Sequence, residues 1–103
     1  MSTKKKYGLE DLEKRNGIMT MAMCLRATRM SDEISQVDFA KKLKISKANL
    51  CDIEKGRKFV SVERAARFAK ILQMPEEYFV MVAIRDQFRS ANLKYEVIIK
   101  KAA

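Results

Sequence analysis

Apolar residues recur along most of this chain at the three-and-four spacing that gathers them on one face of an α-helix, and the runs open on residues suited to cap them. Thr20 precedes a run over about 21–30 with Leu25 inward. Ser35 precedes a second, with Phe39, Ala40 and Leu43 inward, and Asp38 three places on gives that start the form of a capping box. Ser46 opens a third, whose inner residues are Leu50 and Ile53 and whose stop is Gly56. Ser61 opens a fourth, "VERAARFAKILQM", with Ala65, Phe68, Ala69 and Leu72 inward. Pro75 suits the first turn of a fifth, "PEEYFVMVAIRDQFRSA". The period then changes. "LKYEVIIK" alternates Tyr95, Val97 and Ile99 against Lys94, Glu96 and Ile98, and its β-branched residues predict a short strand.

Ahead of Thr20, Leu9 and Leu12 in "YGLEDLEKRNG" predict one or two helical turns stopped at Asn16-Gly17. A basic lead with Lys4, Lys5 and Lys6 comes first. The expected fold is all-α, five helices with a short C-terminal β-strand extension. Its expected divisions are the lead and short helix over 1–19, a five-helix domain over 20–84, and the end of the last helix with the strand over 85–103. A chain of 103 residues, 48% of them apolar, has enough material for one packed core.

Charge narrows the function. Lysine and arginine total 22 against 13 acidic residues, a net charge of +9. Such an excess on one small domain favours a polyanionic partner, nucleic acid or an anionic membrane face. The helices lack one strongly basic amphipathic face, and runs such as "YFVMVAI" fall short of the ~20 residues that span a bilayer, so no membrane role is expected. With no histidine and only Cys24 and Cys51, the usual four-ligand zinc site is excluded within one chain. There is no glycine-rich phosphate loop, Ser-His pair or Cys-His pair, so neither an enzyme nor a cofactor is expected. The opening "MSTKKKYGLEDLEK" has no signal-type apolar region, which points to a cytoplasmic protein with reduced thiols. The seven methionines read as soft core filler.

One stretch joins charge to spacing. In "SQVDFAKKLKISKANLCDIEKGRKF", a twenty-residue unit runs from Gln36 to Lys55. Small Ala40 falls where two steeply crossed helices must come close, and Phe39, Leu43, Ile45, Leu50 and Ile53 fall where they bury. The unit resembles the helix-turn-helix of DNA-binding regulators. From about Thr20 to Ile84 the chain is similar to the lambda-repressor/Cro-like, or XRE, family. Two departures stand out: Lys44 where that family usually has glycine in the turn, and Val60 where proline is common.

The resemblance implies a third helix lying in the major groove, with Lys47, Ala48, Asn49 and Asp52 at the base-reading positions. Their chemistry fits: Lys47 can donate to guanine, Asn49 can bond adenine bidentately, and Ala48 can touch a thymine methyl. Asp52 can accept from cytosine or orient Lys47; otherwise Asn49 and Asp52 simply solvate the helix. Gln36, Ser46, Lys55, Arg57 and Lys58 would meet phosphate. Arg29 and Glu54 would form a structural ion pair between the first and third helices, while Cys51 reads as a passive small residue. The expected partner is double-stranded DNA with an inverted repeat, bound by a homodimer. Its surface is expected around Phe79 and Val82 in "YFVMVAI" and along Tyr95, Val97 and Ile99 of the strand. The flanking segments also resemble compact antitoxins of toxin–antitoxin pairs, which makes a protein toxin a second expected partner.

Overall fold

Four hydroxyls start four helices. In the computed structural model, which describes residues 13–14 and 17–102, Thr20, Ser35, Ser46 and Ser61 accept backbone N–H bonds from Met23, Asp38, Asn49 and Arg64 at 3.0–3.2 Å. Each bond satisfies an N–H group that the first helical turn leaves without a partner. The helices are α1 (Met21–Ser31), α2 (Gln36–Leu43), α3 (Lys47–Glu54), α4 (Val62–Leu72) and α5 (Glu76–Ser90). At Ser35 only half of the predicted capping box forms, because aspartate is one methylene shorter than the glutamate that would reach back. Pro75 stands one place earlier than expected, at the N-cap of α5, where its carbonyl accepts the Phe79 N–H at 3.2 Å.

The helix ends are sharper than the residue types suggest. Lys44 closes α2 at φ 61°, and Gln73 closes α4 at φ 57°, both in the left-handed region. This conformation crowds the Cβ of an L-residue and costs roughly 1–2 kcal/mol. It lets the Ile45 and Met74 N–H groups return to the carbonyls of Ala40 and Ala69 at 3.0 and 2.8 Å.

The inward faces meet in one core containing Leu25, Phe39, Leu43, Leu50, Ile53, Phe68, Phe79 and Val82, none more than 2% exposed. Full burial of such side chains contributes about 1.5–3 kcal/mol each. α5 packs chiefly against α4, while α1 and α2 both pack against α3. Ala40 is buried on α2, as its small size at a helix crossing requires.

Two expectations are corrected here. Phe79 and Val82 are fully buried in the monomer core, so they are not a dimer surface; their i, i+3 spacing is that of an inward helix face. The C-terminal strand is also absent: among the described residues there is no strand, and 93–102 has neither helix nor ladder. Asn92 turns the chain at φ 58°, Leu93 N–H donates to the Phe88 carbonyl at 2.8 Å, and the Tyr95 ring meets Phe88 edge-on at 5.9 Å. Alternation alone does not make a strand without a neighbouring edge to bond, and every regular element here is a helix. Tyr95 is exposed, and Val97 and Ile99 are half-buried.

A polar clamp fixes the segment ahead of α1. Glu13 accepts from Arg85 Nη1 and Nη2 at 3.0 and 2.9 Å and from the Tyr78 hydroxyl at 2.6 Å. Arg85 Nη2 also donates to the Met19 carbonyl at 2.7 Å. Next to it, Asp86 Oδ2 accepts the Met21 N–H at 3.0 Å, so α5 supplies a cap to the first turn of α1. Gly17, at φ 92°, donates its N–H to the Glu13 carbonyl, the geometry of a helix stop. The turns expected through Leu9 and Leu12, and the lysine lead, lie outside the described residues.

Burial pushes the Glu13 carboxyl up, but hydrogen bonds from Arg85 and Tyr78 outweigh it and leave the group below its ordinary value of 4.5. Burial pushes Asp86 up and prevails over the opposing Met21 N–H and the Arg89 charge. A lowered carboxylate stabilises the fold above its unfolded value and stops doing so as pH falls through its folded one. Glu13→Gln should therefore lower the melting temperature by several degrees at pH 7. That gap should narrow as pH falls below 4.5, while both proteins share the opposite trend from Asp86; thermal unfolding across pH 3–7 measures it. Lys44→Gly should raise stability by about 0.5–1 kcal/mol in urea unfolding, relief of the left-handed strain exceeding the added entropy of the unfolded chain.

Candidate nucleic-acid interface

The turn from α2 to α3 presents one helix outward. Ser46 fixes where α3 begins, and helical period sends Leu50, Ile53 and Glu54 inward. Lys47 and Ala48 are then exposed at its first turn, with Asn49 and Asp52 half-buried beside them. Lys47, Ala48, Asn49 and Asp52, the residues expected to read bases, all keep some exposure to solvent. Ser46 lies at the same end, its hydroxyl oxygen already accepting the Asn49 N–H at 3.0 Å.

Behind this face lies a charged hub. The Glu54 side chain is 3% exposed. Its Oε2 receives Arg29 Nε at 2.9 Å, and its Oε1 receives both Arg29 Nη2 and Gln36 Nε2 at 3.1 Å. Arg29 Nη1 adds a bond to the Ile34 carbonyl at 3.3 Å. One carboxylate therefore joins α1, α2 and α3, and its charge is met by donors on both oxygens, as a buried anion requires. Gln36, expected to meet phosphate, braces the third helix through its amide nitrogen.

Arg26 was missing from the sequence-derived site. Its Nη2 donates to the Glu54 backbone carbonyl at 2.7 Å, satisfying one of the orphan carbonyls at the C-terminal end of α3 with a cation. Its place one turn before Arg29 on the same helix was the available signal.

The loop after α3 carries the remaining cations. Lys55, Arg57 and Lys58 are exposed. Asp52 does not reach Lys47 as one reading had it; its two oxygens lie 3.6 Å from Arg57 Nη1 and 3.6 Å from Lys58 Nζ. The Arg57 N–H also donates to the Asp52 carbonyl at 2.8 Å, holding the loop back against the helix end. Cys51 is half-buried, whereas Cys24 is fully enclosed and burial pushes its thiol up to about 12, which keeps it protonated and unreactive at neutral pH.

Removing one partner from the hub leaves a charge without compensation. Arg29→Met should cost about 3–5 kcal/mol in urea unfolding, and the double change Arg29→Met with Glu54→Met should recover most of that loss.

A family model described as a helix-turn-helix domain matches residues 20–78, which take in α1 to α4 and the start of α5. No curated protein and no solved structure matched the chain. The match spans more than half of the 103 residues and contains the hub, the outward face of α3 and the cationic loop. The chain belongs to the helix-turn-helix DNA-binding regulators of the Cro-like kind.

Proposed function

We propose that the protein is a dimeric transcriptional repressor that binds double-stranded DNA at an inverted repeat. The observation that carries this reading is the arrangement of α3. Its first turn leaves Lys47 and Ala48 exposed and Asn49 half-exposed, while its last turn is locked from behind by Glu54. A helix held in this way can enter the major groove as a rigid reader. In this reading Lys47 donates to guanine, Asn49 bonds adenine, and Lys55, Arg57 and Lys58 meet the flanking backbone.

A single head reads only a few base pairs, so affinity for one operator calls for two. Recognition helices of paired heads sit ~34 Å apart on one face of DNA, and this domain measures 34 × 31 × 30 Å. With Phe79 and Val82 in the core, the exposed apolar residues include Ile18, Leu93 and Tyr95, exposed by 44–66%. They flank the end of α5 and are chemically suited to a second copy or, if the protein is an antitoxin that also represses its own operon, to a protein toxin.

Fluorescence anisotropy on DNA from upstream of the protein's own gene, against a scrambled duplex, tests the reading. The upstream fragment should bind selectively. Asn49→Ala should lose about 1–3 kcal/mol on that fragment and little on the scrambled one, whereas Lys55→Gln should weaken both alike. Equal binding of both duplexes by the wild type, vanishing together as salt rises, would remove operator recognition.

A further inference from the structure

The carboxylate nearest the reading face is already occupied by the protein's own cations. Asp52 stands in the last turn of α3, and the loop folds back beneath it through the Arg57 N–H bond to its carbonyl. That brings the Arg57 guanidinium to Oδ1 and the Lys58 ammonium to Oδ2, each at 3.6 Å. Two oxygens of one anion, each beside a different cation, is the arrangement that a backbone phosphate would offer the same pair. The group stays open to solvent: the Arg57 and Lys58 side chains are 66% and 57% exposed, and Asp52 is 31% exposed. Ion pairs at such exposure are weak and salt-sensitive, so a phosphate can displace them.

We propose that Asp52 is a positioning residue that weakens the sequence-independent, phosphate-driven part of DNA binding. It acts as an internal stand-in for phosphate, holding Arg57 and Lys58 beside the recognition helix while the protein is free. Nonspecific DNA offers only its backbone, and much of what it gains from these two cations replaces what Asp52 already provided. On an operator the base contacts of Lys47 and Asn49 add to the phosphate contacts, and the internal competition acts on the phosphate contacts alone. The carboxylate thus subtracts mainly from the sequence-independent part of binding, which is the part governed by counterion release. This inference rests on the DNA-binding reading above.

The test uses the full chain, the upstream and scrambled duplexes, and a salt series. The proteins compared are the wild type, Asp52→Asn, Asp52→Glu, the pair Arg57→Gln with Lys58→Gln, and that pair combined with Asp52→Asn. Asp52→Asn should tighten binding to the scrambled duplex about three- to tenfold and steepen the slope of log affinity against log salt by up to about 2, since each added phosphate contact contributes roughly 0.9. Its effect on the upstream fragment should be of similar size, because the same two cations meet phosphate there. Asp52→Glu, which keeps the charge, should keep the wild-type slope. In the background lacking both cations, Asp52→Asn should change scrambled binding by less than about twofold.

Three results would overturn the proposal. Equal tightening in the background without Arg57 and Lys58 would mean that Asp52 merely repels DNA. Weaker binding to the upstream fragment with scrambled binding unchanged would make Asp52 a base reader. No change on either duplex would give it no part in binding. Failure of the wild type to bind any duplex is a separate outcome, one that removes the DNA-binding reading and this inference together.

Discussion

The buried carboxylate of Glu54 is the constraint on which the helix-turn-helix depends. Water cannot stabilise a negative charge at that depth, so the protein must surround it with donors, and the nearest donors come from two other helices. Arg29 from α1 and Gln36 from α2 have to arrive together. Their arrival fixes the angle at which α3 leaves the domain. Apolar contacts among Phe39, Leu43, Leu50 and Ile53 hold the same helices together, but they tolerate small slides that a set of charge-assisted hydrogen bonds does not. Arg26 extends the constraint to the α3 backbone, where its bond to the Glu54 carbonyl ties down the end of the helix as well as a side chain upon it.

Much of this was legible in the sequence because it is local. A serine or threonine three residues ahead of a free N–H and an apolar repeat at helical period are facts about neighbours along the chain; they located four helices, and Pro75 marked the start of the fifth. The Arg29–Glu54 pairing came through resemblance, since no local rule connects residues 25 apart. What was not legible is tertiary. Glu13 and Arg85 are separated by 72 positions, and nothing near either announces the other. Phe79 and Val82 look alike whether an apolar ridge faces the core or a partner, because hydrophobicity does not encode which surface covers it. Tyr95, Val97 and Ile99 alternate as a strand does, yet the neighbouring edge that would make them one is missing among the described residues. Asp52 was ambiguous for a different reason: which of several nearby cations a carboxylate meets is decided by the path of the loop, here by the Arg57 N–H.

The basic excess of the chain is distributed unevenly in its effect. Arg29 and Arg85 are spent internally, against Glu54 and Glu13, and they stabilise the fold. Lys47, Lys55, Arg57 and Lys58 stand at or beside the outward helix. A count of charges cannot separate these two populations, but burial does. The fold pairs Arg29 and Arg85 with carboxylates and leaves Lys47, Lys55, Arg57 and Lys58 on the outer side of the helix-turn-helix.

The clamp at Glu13 has a consequence for the order in which a nascent chain can assemble. The carboxylate is synthesised early, but its partners Tyr78 and Arg85 are added 65 and 72 positions later. The Met21 N–H likewise waits for Asp86, 65 positions on. The hub at Glu54, by contrast, is complete once the chain has reached the end of α3. During synthesis the helix-turn-helix can therefore organise before Glu13 has anything to hold, and the segment just ahead of α1 is among the last to find its place.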